Sequence, residues 1–177
     1  MKRFRNWFSR MLRREDGAAT LEFVLSVPIL ITIFMASFES GLLMTRSILL
    51  EQSVDMTMRE LRLGHFPLPN AALLKKEICK RTVIFKDCEA NIMIEMTRVS
   101  TSSWVLPKTN VACIDRSEDI QPVVALQIGQ QNDVMLVRVC VVQDAMFPTT
   151  GIGLGLPKDG RGGYAVVAVS AFVTEPS

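Results

Sequence analysis

The feature that most constrains this chain is a long apolar segment near its N-terminus. Residues 17–38 contain a single charged side chain, Glu22. As an α-helix, this segment would extend about 33 Å, enough to cross the roughly 30 Å hydrocarbon core of a bilayer. The sequence therefore predicts one transmembrane helix, which we assign to residues 18–40. A buried helix of a soluble protein is the alternative.

Charge is distributed unevenly around this segment. Residues 1–17 contain six basic and two acidic side chains, a net charge of +4, whereas the whole chain has a net charge of +2. The remainder is therefore slightly acidic, which argues against a nucleic-acid-binding surface. Because basic flanks stay in the cytoplasm, we predict a cytoplasmic leader at residues 1–17 and an extracytoplasmic C-terminal part.

A cleaved secretory signal peptide is an alternative explanation of the apolar segment. Residues 36–41 weakly imitate the small-residue site at which such a peptide is cut. However, the apolar run is long, and the helical pattern continues past this point without a break. We therefore expect a retained anchor.

Gly17, Ala18 and Glu22 form a second candidate processing site, at the start of the apolar run. A carboxylate inside a membrane span is costly and is a functional candidate by default. If the chain is cut after Gly17, the new amine of Ala18 and the Glu22 carboxylate of a neighbouring subunit would attract strongly at low dielectric. The simpler alternative is that Glu22 only reaches the membrane surface.

These residues resemble a known family. Gly17 followed at the fifth position by Glu22 is similar to the cleavage motif of type IV prepilins. Pro28, six residues after Glu22, and Glu39, eleven residues further on, resemble the TadE-like proteins of tight-adherence (Tad) pilus systems. The resemblance covers roughly residues 13–62.

The resemblance implies a non-catalytic, minor pilin-like protein (pseudopilin) of pilus assembly and bacterial adhesion. It implies cleavage after Gly17 by a prepilin peptidase, registration of subunits through Glu22, and contacts with other pilin-like and pilus-assembly proteins. It also implies an inner-membrane anchor with a periplasmic domain. We expect no cofactor, metal, nucleic acid or small-molecule substrate. The alternative function is an uncut, signal-anchored periplasmic binding or scaffold protein.

Pro28 predicts a kink in the membrane helix. Proline lacks the backbone donor that would bond the carbonyl of Val24. In a membrane, such a carbonyl is tolerated when neighbouring helices or hydroxyl side chains satisfy it, and Ser26 and Thr32 lie nearby. A role in bending the helix as it leaves the bilayer is a further hypothesis.

The helical pattern continues beyond the membrane segment as an amphipathic stalk, residues 41–64. Gly64 is a suitable C-terminal stop, so one helix is predicted from about Gly17 to Leu63. We expect its apolar stripe to pack on this protein's own globular part. That stripe has the spacing of one helical face: Leu43, Ser47, Leu50, Val54, Met58 and Leu61.

Residues 65–177 predict a small α+β domain, so the chain as a whole has an α+β fold. Asn70 can cap a short helix from Ala71 to about Arg81. Runs rich in Val and Ile predict strands, and turn formers separate them. We expect the last three runs to form an antiparallel meander. The predicted strands are Asn91–Val99, Val123–Ile128, Asp133–Val142 and Tyr164–Val173.

The four cysteines are Cys79, Cys88, Cys113 and Cys140, and they allow three pairings. In an oxidising compartment structural disulfides are expected. We favour Cys79–Cys88, which closes a short loop, together with Cys113–Cys140, which joins a loop to a strand. Free thiols are expected only if the topology is wrong.

Little in the sequence indicates an enzyme. His65 is the sole histidine, and no Ser/His/Asp, Cys/His or two-carboxylate pattern is legible. The glycine-rich residues 151–156 lack the features of a phosphate-binding motif, and we expect a loop that packs on the core or meets a partner. Trp104 is expected to be a core residue or a membrane-interface anchor.

Overall fold

The computed structural model describes residues 18–106 and 113–175. The basic leader, Gly17 and residues 107–112 of the connection between predicted strands therefore lie outside the described residues. The first element is a helix of 45 residues, α1, from Ala18 to Arg62. Its C-terminal end agrees with the predicted helix to within one residue, and Pro28 lies inside it without ending it.

The end of α1 is fixed by Gly64. This glycine has φ +72°, a left-handed conformation in which glycine carries no steric penalty. Its N–H donates to the carbonyl of Leu61 at 3.1 Å, and the N–H of His65 donates to that of Glu60 at 3.1 Å. These two bonds form a Schellman motif and satisfy carbonyls that the helix end would otherwise leave unpaired.

Two short helices follow α1. Helix α2 is Ala71–Arg81, and the side chain of Asn70 accepts a hydrogen bond from the N–H of Leu73 at 2.8 Å. The predicted helix and its cap are therefore confirmed. Helix α3, Cys88–Asn91, is a single turn that leads into the sheet.

The sheet has three antiparallel strands in the order β1-β2-β3. Their bounds are Ile92–Val99 for β1, Val134–Asp144 for β2 and Gly163–Val173 for β3. A one-turn helix, α4, Gly151–Gly155, lies in the connection between β2 and β3. The overall architecture is thus α+β, with a long N-terminal helix and a small antiparallel sheet.

The prediction of a strand at Val123–Ile128 is wrong. In this segment, only Leu126 forms a bridge, an isolated parallel one to Met96, through bonds of 2.9 Å from Met96 N to Ala125 O and from Gln127 N to Met96 O. The expected meander of the last three runs is therefore also wrong, since β1 takes the position beside β2. Val123 and Ile128 are exposed, so the run has little burial to favour a regular strand.

The hydrophobic core lies between the outer half of α1 and one face of the sheet. Leu50, Val54 and Met58 of α1 are at most 2% exposed, and they meet Leu74 and Ile78 of α2 in the same cluster. The prediction that the stalk stripe packs on its own domain is confirmed. The sheet contributes its helix-facing side chains: Ile92, Ile94, Met96, Met135, Val137, Val139, Val141, Tyr164, Val166 and Ala168.

Two disulfides join Cys79 to Cys88 and Cys113 to Cys140. This is the pairing that the sequence favours. The first ties α2 to α3, and the second ties the segment after β1 to the middle of β2. On a chain-entropy account, bridges closing loops of this size stabilise a domain by about 2–4 kcal/mol each.

Two smaller expectations need correction. Residues 151–155 form the one-turn helix α4, whereas a loop was expected there. Trp104 is 65% exposed and therefore is not a core residue. Its N–H donates to the carbonyl of Ser100, just beyond the end of β1, and this end of the sheet is remote from the membrane segment of α1.

Gly153 allows α4 to lie against the chain that precedes it. A Cβ at this position would be 2.5 Å from the carbonyl oxygen of Phe147 and 3.2 Å from Cα of Pro148, whereas at Gly155 it would meet nothing within 4 Å. We expect Gly153→Ala to destabilise the protein by about 1–3 kcal/mol through overpacking, and Gly155→Ala to have little effect. Thermal unfolding of both variants in detergent measures this, and equal midpoints would contradict it.

Candidate functional site at the junction of the membrane helix and the sheet

The first half of α1 presents an uncovered apolar surface. Nine large side chains between Leu21 and Phe34 are 50–68% exposed. The helix contains an 18-residue window of mean hydropathy 2.1 with no residue buried inside the protein. An apolar surface of this size is not stable in water. This half of α1 is therefore a candidate single-pass membrane anchor.

Glu39 lies where the apolar run ends and is completely buried. Its Oε2 accepts a hydrogen bond from the N–H of Phe147 at 2.9 Å, and its Oε1 accepts one from the N–H of Met146 at 3.3 Å. A buried carboxylate is tolerated only when it is well hydrogen-bonded. Here the carboxylate and two backbone donors satisfy one another and fix the chain after β2 to the helix.

Aromatic contacts extend this attachment toward the candidate membrane span. The ring of Phe147 meets that of Phe38 edge-on, with centroids 6.1 Å apart, and Phe38 stacks on Phe34 at 6.5 Å. Such geometries are favourable for aromatic pairs. The segment after β2 is thus held at the level of the last apolar turns of α1.

Arg46 lies two turns beyond Glu39 on the same face of α1, since seven residues complete almost two turns. Its Nη1 donates to the carbonyl of Asp144 at 3.0 Å and to the hydroxyl of Tyr164. Its guanidinium carbon is 5.7 Å from the centre of the Tyr164 ring, within cation–π distance. Arg46 therefore binds the end of β2 and the start of β3 together.

A second arginine connects this end of the sheet to the loop before β3. Arg116 donates from Nε to Oδ2 of Asp159 at 2.6 Å and from Nη2 to Oδ1 of Asp144 at 2.7 Å. Both carboxylates raise the pKa of the Arg116 guanidinium. The side chain of Asp144 is 72% exposed, whereas that of Asp159 is 6% exposed, so solvent and salt screen the pair with Asp159 less.

Asp159 and Asp115 order the loop at residues 157–163. The Arg116 hydrogen bond lowers the pKa of Asp159 to about 2, and the N–H of Gly163 acts in the same direction. Asp115 accepts bonds from the hydroxyl and N–H of Ser117, which lower its pKa, and one from the N–H of Gly160.

The residues expected to carry processing and registration do not meet this junction. Glu22 lies near the other end of the span and is exposed, Ala18 is the first residue of α1, and Gly17 lies outside the described residues. The hydroxyls of Ser26 and Thr32 donate to the carbonyls of Phe23 and Ile29.

Sequence reasoning did not identify the junction as a site. Glu39 was singled out for its spacing from Pro28 in the TadE-like pattern and not for its burial or its contacts, and the roles of Arg46 and Arg116 were missed. A usable signal was the seven-residue spacing of Glu39 and Arg46 on the face that also carries Leu50. Within the described parts of the chain, no group of three or more His, Cys, Asp or Glu side chains is arranged to hold a metal ion.

Comparison with family models connects this helix to known proteins. Residues 17–59 match the model of the TadE family, described as TadE-like protein. This segment is TadE-like. The match contains Glu22, Pro28, Glu39 and Arg46 and ends within the stripe that forms the core, so it covers α1 and not the sheet. Searches of curated proteins and of solved structures found no match for the chain.

The Glu39 attachment can be tested by removing its carboxylate. Glu39→Ala leaves the backbone N–H groups of Met146 and Phe147 without their acceptor, and hydrogen bonds to charged groups contribute about 1.5–3 kcal/mol. We expect a lower thermal midpoint in detergent and faster proteolysis between residues 145 and 156. Glu51→Ala, an exposed change on the same helix, is the matched control. Identical digestion of the two variants would contradict the proposed attachment.

The Arg116–Asp159 pair predicts a pH dependence of stability. A carboxylate whose folded pKa is lowered stabilises the fold above its unfolded pKa, and this stabilisation is lost as the pH falls through the folded pKa. For Asp159 the window runs from 3.8 down to about 2.

We expect Asp159→Asn to unfold at a lower temperature than the parent at neutral pH. We also expect its midpoint to change less between pH 4 and pH 2, values taken from that window. Asp119→Asn, in an exposed segment, is the control. Thermal unfolding at several pH values in detergent measures both quantities, and parallel profiles for parent and Asp159→Asn would refute the assignment.

Proposed function

We propose that this protein is a non-catalytic, membrane-anchored minor pilin-like subunit of tight-adherence pilus assembly. The observation that carries the proposal is the coincidence of the TadE-like match with α1. The matched segment combines an exposed apolar half with a half that forms the core of the attached domain. A subunit built in this way can pack its helix among others while it presents its domain outside the membrane.

The proposed topology has the basic leader in the cytoplasm and the α+β domain in the periplasm, across the inner membrane. The excess of basic side chains in residues 1–17 supports a cytoplasmic leader, because basic flanks of a membrane helix stay in the cytoplasm. The disulfides Cys79–Cys88 and Cys113–Cys140 support it independently, because structural disulfides persist in oxidising compartments such as the periplasm.

We propose that a prepilin peptidase cuts the chain after Gly17. Cleavage would place a positive amine on Ala18, one helical turn before Glu22 in the sequence. Both charges would then lie near one face of the span, where a neighbouring subunit can present its own Glu22. Attraction between opposite charges is strong at low dielectric and offsets the cost of a carboxylate in the membrane only when the pair forms.

Intact mass of the protein isolated from membranes tests this processing. In cells with an active prepilin peptidase, we expect a chain that begins at Ala18, and we expect Gly17→Asp to retain residues 1–17. We further expect Gly17→Asp and Glu22→Ala to abolish pilus assembly, with Glu51→Ala as the control on the same helix.

Two outcomes would contradict parts of this proposal. A wild-type chain that retains residues 1–17 would eliminate the processing step. Normal pilus assembly by Gly17→Asp would favour the uncut, signal-anchored scaffold protein instead.

A further inference from the structure

The exposed surface of α1 stays uncharged for longer than the membrane core requires. Between Phe23 and Leu50 the only charged residues are Glu39 and Arg46, and both are bonded to the segment after β2 or to the sheet. A helix of this length extends about 42 Å, compared with roughly 30 Å for the hydrocarbon core and 40–45 Å for the bilayer with its headgroup layers. The excess lies at the end where the outer domain is attached.

The segment attached at this level is itself uncharged. Residues 145–156, which we call the junction segment, contain no Asp, Glu, Lys or Arg. Met146 and Leu154 are 55% and 65% exposed, and Phe38 of the adjoining turn of α1 is 44% exposed. The apolar surface of the membrane span therefore continues onto the outer domain.

The backbone of the junction segment is also suited to a poorly hydrated layer. The N–H groups of Met146 and Phe147 bond to Glu39. The N–H and hydroxyl of Thr150 both donate to the carbonyl of Phe147, and the N–H of Leu154 donates to that of Thr150 at 2.8 Å. Because unpaired backbone groups are costly away from water, these bonds lower the cost of placing the segment against lipid.

Basic side chains follow directly. Lys158 and Arg161 are exposed in the loop after the junction segment, where they can meet phosphate groups of the headgroup layer. Basic residues beside an apolar surface are typical of segments that lie in a membrane interface.

We propose that the junction segment is a second membrane contact, which inserts Met146 and Leu154 into the interface of the leaflet from which α1 emerges. The occupant of this surface is the phospholipid bilayer itself. The contact would fix the tilt and rotation of the outer domain relative to the membrane, which a single helix leaves free. It requires α1 to span the membrane but does not require cleavage or pilus assembly.

Depth-dependent fluorescence quenching tests this contact in the full chain. Leu154→Trp is introduced after Trp7→Phe and Trp104→Phe, and the protein is reconstituted in phosphatidylcholine vesicles whose acyl chains carry bromine at defined depths. We expect bromine atoms near the headgroups to quench the Leu154→Trp fluorescence strongly, and bromine atoms near the bilayer centre to quench it less. Met146→Trp provides the same measurement if Leu154→Trp does not fold.

Leu68→Trp is the matched control. Leu68 is 83% exposed and lies beyond the end of α1, about 35 Å from the level of Glu39 along the helix, so we expect no quenching. Formation of both disulfides on a non-reducing gel confirms folding of each variant.

Two results would overturn the proposal. One is fluorescence of folded Leu154→Trp and Met146→Trp that all brominated lipids leave unchanged. The other is Leu154→Trp fluorescence that brominated lipids do not quench and whose emission maximum changes with the protein-to-lipid ratio. This result would show that a second copy of the chain covers the segment.

Discussion

One continuous helix has to satisfy two different environments, and the rest of the structure depends on this. The inner half of α1 exposes large apolar side chains, as a membrane-spanning helix does, whereas the outer half buries the stripe with Leu50, Val54 and Met58. The same stripe belongs to the core cluster that holds the buried side chains of all three strands. The candidate anchor and the core of the folded domain therefore share one helix.

The transition between the two environments is made by paired polar groups. Glu39 and Arg46 face the sheet, and each is bonded to chain near the end of β2. Turning both side chains inward converts them into links between helix and domain, and leaves the outer surface of α1 uncharged up to Leu50.

Features that depend on local sequence were predicted well. The length of α1, its end at Gly64 and the cap at Asn70 follow from apolar length, glycine conformation and a side-chain acceptor, which act within a few residues. Three strands were also found from their Val and Ile content. Val123–Ile128 has the same composition but forms only an isolated bridge, because strand formation depends on which neighbour is available and on whether the face is covered.

The sequence by itself determined the anchor, the stalk stripe, the strand-rich domain and the TadE-like character of the helix, because periodicity and hydropathy act locally. Only the tertiary structure decided what Glu39 binds, since its partners lie 107 and 108 residues away. It likewise brought Arg46, Arg116 and Asp159 to one end of the sheet. The spacing of Glu39 and Arg46 places both on the buried face of α1, but their partners depend on the strand register and on how the sheet packs against α1, which this spacing does not encode.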